Sequence, residues 1–334
     1  MIKLSLTENC QFWLNSLNKK TVSQLLGNSV PAFLQTAHDY TLNGPADMIQ
    51  VLLEIPLLGE SGCDTSLSYG LDLFRRTSFS NQEGRMVQPL FQYLTMLTDK
   101  PTSVFIEMDT SQNSRIPAIF IDCTECIEPV FTKLWAPDAK PPQWDRAYEI
   151  CGHLPKDWEL LYVGFMPGRA QSPLRLIFTR ATVNDQHLPT NIENVEELCK
   201  AIGYPNLNDD MKEKIERLNE LDFPEITICI DLMPDLSYGP VLGMEVMVLK
   251  EKTELEKTLN TRRGQALLQQ LQLWQSSDER INLLPQCCGI FFPPQLTGYM
   301  ETQMQCFLNH IKLRWDKGKP LPAKAYIALN SYFR

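Results

Sequence analysis

Residues 310–330 read HIKLRWDKGKPLPAKAYIALN, and this segment decides the fold. Apolar and polar side chains alternate on both sides of residues 316–320, which include the turn formers Gly318 and Pro320. Alternation in two short runs around such a turn is typical of a β-hairpin whose strands each have one apolar face. The segment therefore predicts a hairpin with Ile311, Leu313 and Trp315 on the apolar face of its first strand.

The same pattern occurs four more times along the chain. Paired strand-like runs flank turn residues at about 48–73, 103–122, 158–179 and 225–248. Apolar residues at helical spacing lie around these pairs, at 89–97, 125–134, 195–202, 209–221 and 254–274. The sequence therefore predicts five repeats of an α-β-β-α unit.

Ten antiparallel strands would have two unpaired edges in an open sheet, and closure into a barrel removes both edges. No Gly/Ser-rich linker or low-complexity tract divides the 334 residues. We therefore predict an α+β fold in a single domain over residues 1–334. Its centre would be a ten-stranded antiparallel β-barrel with a solvent-filled lumen, surrounded by helices.

Composition narrows the class of protein. The chain has 31 Lys and Arg against 40 Asp and Glu, a formal charge of −9, which disfavours a broad nucleic-acid surface. No stretch approaches 18 uninterrupted apolar residues, so no membrane-spanning helix is predicted. The ten cysteines are irregularly spaced and lie mostly in apolar runs, which is typical of reduced, buried thiols. We expect a cytoplasmic protein with neither nucleic acid nor membrane as partner.

Polar side chains on the predicted strands define the lumen. If helices cover the outside, each strand must turn its apolar face outward and its polar face inward, because strand side chains alternate. Alternation does not decide whether Arg169 and Arg175 of the third hairpin face the lumen, and it does not decide this for Glu245. The residues predicted to face the lumen are His310, Lys312, Arg314, Lys324, Tyr326, Asn330, Glu54, Asp72, Glu107, Asp109, Asp122, Thr227, Cys229 and Asp231.

Two chemistries follow from this lumen. Lys312, Arg314 and Lys324 lie on adjacent strands, and together they supply convergent donors for a multiply charged anion such as diphosphate. The acids on the other strands can hold a cation, accept a proton or orient a substrate N–H. An anion site beside acidic groups is therefore the predicted functional site.

Five helix and hairpin units around a polar lumen resemble the ABBA prenyltransferase barrel over nearly the whole chain. Two short motifs add to the resemblance. DTSLSY at 64–69 is similar to the segment around the first-hairpin acid of the indole-modifying branch, and AKAY at 323–326 is similar to a recurring strand motif of the family. The resemblance implies transfer of an allylic prenyl group from its diphosphate, the co-substrate, to an aromatic small molecule or a ribosomal peptide, as in the cyanobactin peptide branch.

The resemblance also implies roles for individual residues. Tyr326 would shield the allyl cation, and an acid near the first hairpin would orient the acceptor. That acid is Asp64 by the motif or, by its position in the predicted lumen alone, Glu54. The cations that would bind the diphosphate are Lys324 by motif, and Lys312, Arg314 and Arg175 by position.

The chain departs from the family in its second and fourth hairpins, which are rich in acids and poor in bases. A site assisted by Mg²⁺ at Glu107 or Asp109 would fit this composition, and so would an acidic lumen that binds a guanidinium or imidazole group of a peptide.

A non-catalytic accessory protein that binds a peptide or ligand in the same barrel is the alternative function. A different enzyme on a mixed scaffold is the third, although the chain has no convincing Ser-His-Asp set, P-loop or dinucleotide-binding glycine motif.

Overall fold

A computed structural model of the protein describes most of the chain. The described residues are 5–40, 49–70, 90, 92–97, 101, 103–109, 116–134, 140–169, 171–183, 186–205, 207–221, 223, 225–248, 259, 261–292 and 302–333. The predicted lumen residue Asp72 and the predicted helical positions 254–258 lie outside these residues.

Among the residues described before the first strand are three α-helices: α1 (Leu6–Ser16), α2 (Lys19–Leu25) and α3 (Val30–Asp39). A capping box begins α1, in which the Ser5 hydroxyl accepts from the Glu8 N–H while the Glu8 carboxylate accepts from the Ser5 N–H. The rings of Trp13 and Phe33 meet edge to face with their centroids 6.5 Å apart, which joins α1 to α3.

The strands confirm the predicted barrel. Ten of them pair only with antiparallel neighbours, in chain order. The last strand pairs with the first, and Tyr238–Met247 pairs with Thr302–Asp316, so the sheet closes. Two short strands, β7 (Thr182–Val183) and β8 (Gln186–His187), form a separate pair, and β11 (Gly289–Phe291) adds to the start of β12. The ten barrel strands are β1 (Ile49–Pro56), β2 (Asp64–Gly70), β3 (Ser103–Met108), β4 (Ala118–Asp122), β5 (Trp158–Phe165), β6 (Leu174–Arg180), β9 (Glu225–Leu232), β10 (Tyr238–Met247), β12 (Thr302–Asp316) and β13 (Lys319–Phe333).

The remaining helices complete the predicted α+β class. Those whose bounds the structure describes are α4 (Ile127–Lys133), α5 (Trp144–Gly152), α6 (Ile192–Ile202), α7 (Asp209–Glu220), α8 (Arg262–Leu273) and α9 (Leu284–Cys287). The glycine expected to stop α6, Gly203, takes a left-handed backbone with φ of 76°. Among the described residues, no helix combines the length and the apolar character needed to cross a bilayer.

The outer face of the barrel packs against the helices. Ile311, Leu313 and Trp315 on β12 are at most 2% exposed and belong to the main apolar core. The Trp315 indole N–H donates to the Asp210 carboxylate on α7 at 2.6 Å, which fixes that helix on the sheet. The predicted outward face of this strand is therefore confirmed.

The last hairpin is longer than predicted. Both strands run for 15 residues instead of the expected 310–315 and 323–330. Asp316 pairs directly with Lys319, so the turn holds only Lys317 and Gly318, whose φ angles are 49° and 79°. Two positive φ angles define a type I′ turn, whose twist matches the flanking strands. This two-residue turn lets pairing continue through residues that the sequence assigned to a loop.

Candidate functional site

The barrel encloses two adjoining cavities. Because neighbouring strands alternate in direction, the turns within the five hairpins lie at one end of the barrel. A cavity of about 250 Å³ near that end is lined mostly by charged side chains, and we call it the polar chamber. A second cavity of about 340 Å³ lies toward the other end, and we call it the aromatic chamber because Phe105, Phe120, Tyr162, His310 and Tyr326 line it.

The polar chamber brings together most of the predicted site. All four predicted diphosphate ligands and both predicted acceptor-orienting acids line it. The turn residue Arg169 joins them, and Arg175 points inward, which settles the face that the sequence left open. The charged residues lining the chamber are Arg169, Arg175, Lys312, Arg314, Lys324, Glu54, Asp64, Asp109 and Asp231.

Arg175 and Asp231 form a paired fork across β6 and β9. The guanidinium donates to both carboxylate oxygens, at 2.7 and 2.9 Å, between residues that stand opposite in the register. Burial opposes both charges, but the attraction of Arg175 outweighs it and lowers the pKa of Asp231. Both groups are therefore charged at neutral pH.

Lys312 pairs with Glu245 on the neighbouring strand β10. Its ammonium donates to the carboxylate at 2.7 Å, and Gly243 leaves space for the lysine, since a Cβ there would lie 3.1 Å from Lys312 Cε. Burial favours the neutral acid, but the charge of Lys312 and its hydrogen bond outweigh it and lower the pKa of Glu245 to about 2. Glu245, whose orientation the sequence left open, thus faces the lumen as a carboxylate.

Arg169 holds the two acids predicted as magnesium ligands. Its guanidinium donates to both Asp109 oxygens, at 2.8 and 3.0 Å, and also to Glu107. One guanidinium thereby occupies oxygens of both carboxylates, and they do not fit a resident Mg²⁺ as they stand. No group of three or more His, Cys, Asp or Glu suited to a metal occurs among the residues that the structure describes.

Glu54 links Lys324 to Tyr326. The Lys324 ammonium donates to one carboxyl oxygen and the Tyr326 hydroxyl donates to the other. Burial, with the charges of Glu107 and Asp64, raises the pKa of Glu54 to about 8, and burial lowers the pKa of Lys324 to about 8. Burial therefore moves both pKa values from their ordinary ranges toward neutral pH.

Arg314 differs from the other four cations of the polar chamber. It donates to the Pro322 carbonyl at 3.2 Å, and within the described residues it forms no ion pair. Its Nε is buried without a hydrogen-bond partner there, and burial lowers its pKa. A buried guanidinium with an unused donor is the group best prepared to receive an added anion.

The aromatic chamber has apolar walls and few charges. Phe105 and Tyr162 meet edge to face with centroids 5.3 Å apart, and Gly164 admits the Phe120 ring, because a Cβ at 164 would overlap it. Three glutamates, Glu107, Glu225 and Glu245, line the chamber, and none of its described lining residues is Lys or Arg. An aromatic group is therefore better suited to this space than an anion.

The other predicted lumen residues contribute less to the candidate site. Thr227 and Cys229 line the two chambers as expected. Asn330 accepts from the Gln50 amide at 2.9 Å beside the aromatic chamber. Asp122 instead accepts from the Thr124 N–H and hydroxyl, which stabilises the turn after β4, and it lines neither chamber.

A cavity larger than either chamber lies elsewhere. It is a groove of about 930 Å³ between the β9–β10 turn and the start of α7, lined by Tyr204 and Tyr238 among others. It contains none of the lumen cations. We therefore place the candidate site in the barrel.

Comparison with known proteins identifies no family for this chain. No protein-family model matches it, and no curated protein is significantly similar to it in sequence. The functional argument therefore depends on the geometry of the lumen.

Proposed function

We propose that this protein is a prenyltransferase that moves an allylic prenyl group from its diphosphate to an aromatic or peptide side-chain acceptor. The observation that carries the proposal is the shared wall of the two chambers. Glu54 lines the polar chamber, Tyr326 lines the aromatic chamber, and the two are hydrogen-bonded. Prenyl transfer needs this arrangement, because fixed donors stabilise the leaving diphosphate while aromatic faces stabilise the allyl cation.

The polar chamber supplies the donors for the diphosphate. Arg314 has an unused N–H within the described structure and makes the first contact. Lys312, Lys324 and Arg175 then bind the remaining phosphate oxygens, each by exchanging a carboxylate partner for the ligand. A diphosphate carries several negative charges and each internal carboxylate carries at most one, so the diphosphate competes well for these cations.

Transfer breaks the C–O bond of the allylic diphosphate, and both electrons of that bond leave with the diphosphate. A new bond forms between the allylic carbon and the acceptor, which gives up a proton. Asp64 and Glu54 orient the acceptor at the junction of the chambers, and Tyr326 shields the cation. Glu54 in its ionised form can take up the proton, since its raised pKa lies near neutral pH.

Mg²⁺ bound with the diphosphate is a prediction of the sequence that stays in this proposal. Its predicted ligands, Glu107 and Asp109, would first have to be released by Arg169. No step of the transfer above depends on the metal.

The alternative is a non-catalytic accessory protein that binds a peptide or ligand in the barrel. The ion pairs favour it, because four of the five polar-chamber cations already have a carboxylate partner among the described residues. A barrel whose charges are balanced internally needs no anion for stability.

Calorimetric titration of dimethylallyl and geranyl diphosphate thiolo analogues, with and without Mg²⁺, separates the two functions. The variants are Arg314→Ala and Lys324→Ala, and the control is Arg217→Ala on the exposed side of α7. Loss of one charge-assisted hydrogen bond weakens binding roughly 10- to 100-fold.

Saturable binding by the wild type and the Arg217→Ala control, weakened in both chamber variants, supports the diphosphate site. Absence of binding under every condition contradicts the prenyltransferase and leaves the accessory protein. Binding that both chamber variants retain unchanged also contradicts the proposed site.

A further inference from the structure

Lys324 places an amine in the wall of the polar chamber. Its side chain is 19% exposed, whereas that of Lys312, which stands opposite it in the pairing of β12 with β13, is 6% exposed. The Lys324 side chain donates to Glu54, whose other carboxyl oxygen accepts from the Tyr326 hydroxyl. An accessible amine therefore lies beside groups that can give and take protons.

The two lysines of the polar chamber differ in reactivity. Burial lowers the pKa of Lys324 to about 8. Burial also opposes the charge on Lys312, but the salt bridge to Glu245 outweighs it and raises the pKa of Lys312. A pKa of about 8 leaves roughly a tenth of the Lys324 amine neutral at pH 7, and the neutral amine is the nucleophilic form. Lys324 is therefore the more reactive of the two.

Arg314 offers a contact for an anion beside this amine. Within the described residues it forms no ion pair, and its buried Nε has no hydrogen-bond partner. Burial lowers the pKa of Arg314 and the charge of Glu54 opposes the shift, so the guanidinium lies near the carboxyl group that contacts Lys324. The other four cations of the chamber have carboxylate partners in the described part of the chain. The chamber thus has one cation available for a single carboxylate.

These groups together select a class of ligand. A nucleophilic amine requires a carbonyl carbon, and the guanidinium requires a nearby anion. A 2-oxo acid has both, because its carboxylate is bonded directly to its carbonyl carbon. The volume of about 250 Å³ has room for a small member of this class, such as glyoxylate or pyruvate. A phosphate ester would bring a second negative charge for which the described chamber has no unpaired cation.

We infer that Lys324 forms an imine with a small 2-oxo acid whose carboxylate binds Arg314. The amine nitrogen bonds to the carbonyl carbon, while the carbonyl oxygen takes a proton from the Glu54 carboxyl. The nitrogen then returns a proton to Glu54, which protonates the new hydroxyl, and this leaves as water when the C=N bond forms. The products are a protonated imine, the Glu54 carboxylate and water, and nothing is oxidised or reduced. The inference goes beyond the proposed function, because the imine forms without diphosphate.

Reductive trapping tests the imine directly. The wild-type protein is incubated with glyoxylate or pyruvate and with sodium cyanoborohydride, which reduces an imine to a stable secondary amine. Peptide mass mapping then gives the rate of modification at each lysine. Lys312 in the same chamber and the exposed Lys317 are the internal controls. We expect Lys324 to be modified roughly tenfold faster than either, since a larger fraction of its amine is neutral.

The role of Arg314 is tested with pyruvate and methyl pyruvate, an ester that keeps the carbonyl group and lacks the charge. For each probe the rate at Lys324 is divided by the rate at Lys317, which removes the intrinsic difference in reactivity. We expect this ratio to be roughly tenfold higher for pyruvate, as one charge-assisted hydrogen bond provides. Arg314→Gln should abolish the preference. Arg217→Gln, on the exposed side of α7, should keep it.

The inference is overturned if Lys324 of the wild type is modified no faster than Lys317, or if the ratio is the same for pyruvate and its ester. Both comparisons use the wild type, so they decide the matter even if Arg314→Gln does not fold. A folded Arg314→Gln that keeps the preference also contradicts the inference. Failure here leaves the diphosphate titration unaffected, so the two proposals fail separately.

Discussion

The ring of Tyr326 stacks on His310 at 3.9 Å between centroids, with the planes inclined by 23°, while its hydroxyl donates to Glu54. One side chain thus contributes to the wall of the aromatic chamber and to the hydrogen bonding of the polar chamber. These two contributions can be separated by substitution.

Tyr326→Phe keeps the stacked ring and removes the hydroxyl. Glu54 then loses a hydrogen bond inside the barrel, and we expect the free energy of unfolding to fall by about 1–3 kcal/mol. Tyr326→Ala also removes the ring and should lower it by about 3–5 kcal/mol. Urea unfolding measures both, with Tyr148→Phe as control, since Tyr148 is 39% exposed. Equal losses in Tyr326→Phe and Tyr326→Ala would show that the ring contributes nothing.

The Glu54–Lys324 pair should make stability depend on pH in two adjacent windows. The pKa of Glu54 in the fold, about 8, lies above its ordinary value of 4.5, so its contribution is complete below pH 4.5 and is lost as the pH rises to about 8. The pKa of Lys324 is lowered from 10.5 to about 8, so its contribution to the free energy of unfolding rises between about pH 8 and 10.5.

Glu54→Gln removes only the first of these windows. Between pH 5 and 8 the free energy of unfolding of the wild type should decline relative to that of Glu54→Gln, as measured by urea denaturation at each pH. Between pH 8 and 10.5 both proteins should gain stability in parallel. Parallel curves over the whole range would mean that Glu54 is ionised like an exposed carboxyl.

Strand alternation predicts much of the barrel, but it does not predict how side chains pack between strands. Alternation places Lys312 and Arg314 inside because their neighbours are apolar, and the structure has both in the lumen. The same rule selects only polar residues as candidates, so Phe105 and Phe120 were not predicted although they line the aromatic chamber. Their ring positions depend on packing between strands, as Gly164 opposite Phe120 shows.

The sequence also did not predict which carboxylate pairs with which cation. Arg175 meets Asp231 because β6 pairs with β9 in a particular register, across the intervening strands β7 and β8 and helices α6 and α7. A list of lumen residues gives the charges but not which carboxylate neutralises which cation. Within the described residues, the N–H of Arg314 and the ring nitrogen of His310 that lack a hydrogen-bond partner can be recognised only after every other partner has been assigned.

Asp231→Asn tests whether internal pairing competes with an anion. The substitution removes the charge that neutralises Arg175, so we expect a loss of about 3–5 kcal/mol in the free energy of unfolding. If the polar chamber binds diphosphate, the freed guanidinium should also tighten binding of a thiolo analogue severalfold. Asp235→Asn, at the exposed β9–β10 turn, is the control for both measurements. Lower stability with unchanged or weaker anion binding would exclude Arg175 as a diphosphate ligand.

Gly164→Ala tests the aromatic chamber without altering any charge. The added Cβ would overlap the Phe120 ring, which is only 7% exposed and must shift toward the chamber. Overpacking of this kind destabilises a protein by about 1–3 kcal/mol. The displaced ring should also weaken binding of indole or phenol, while binding of a diphosphate analogue in the polar chamber stays the same.

Gly70→Ala is the matched control, because a Cβ at this strand glycine meets nothing within 4 Å. Calorimetry measures the affinity for both kinds of probe, and urea unfolding of the same preparations measures stability. Together they distinguish a smaller chamber from an unfolded protein. If Gly164→Ala binds the aromatic probe as well as the wild type does, the probe lies outside the space that Phe120 borders. If the substitution weakens both probes equally, the two chambers respond as one, and the division of roles between them is wrong.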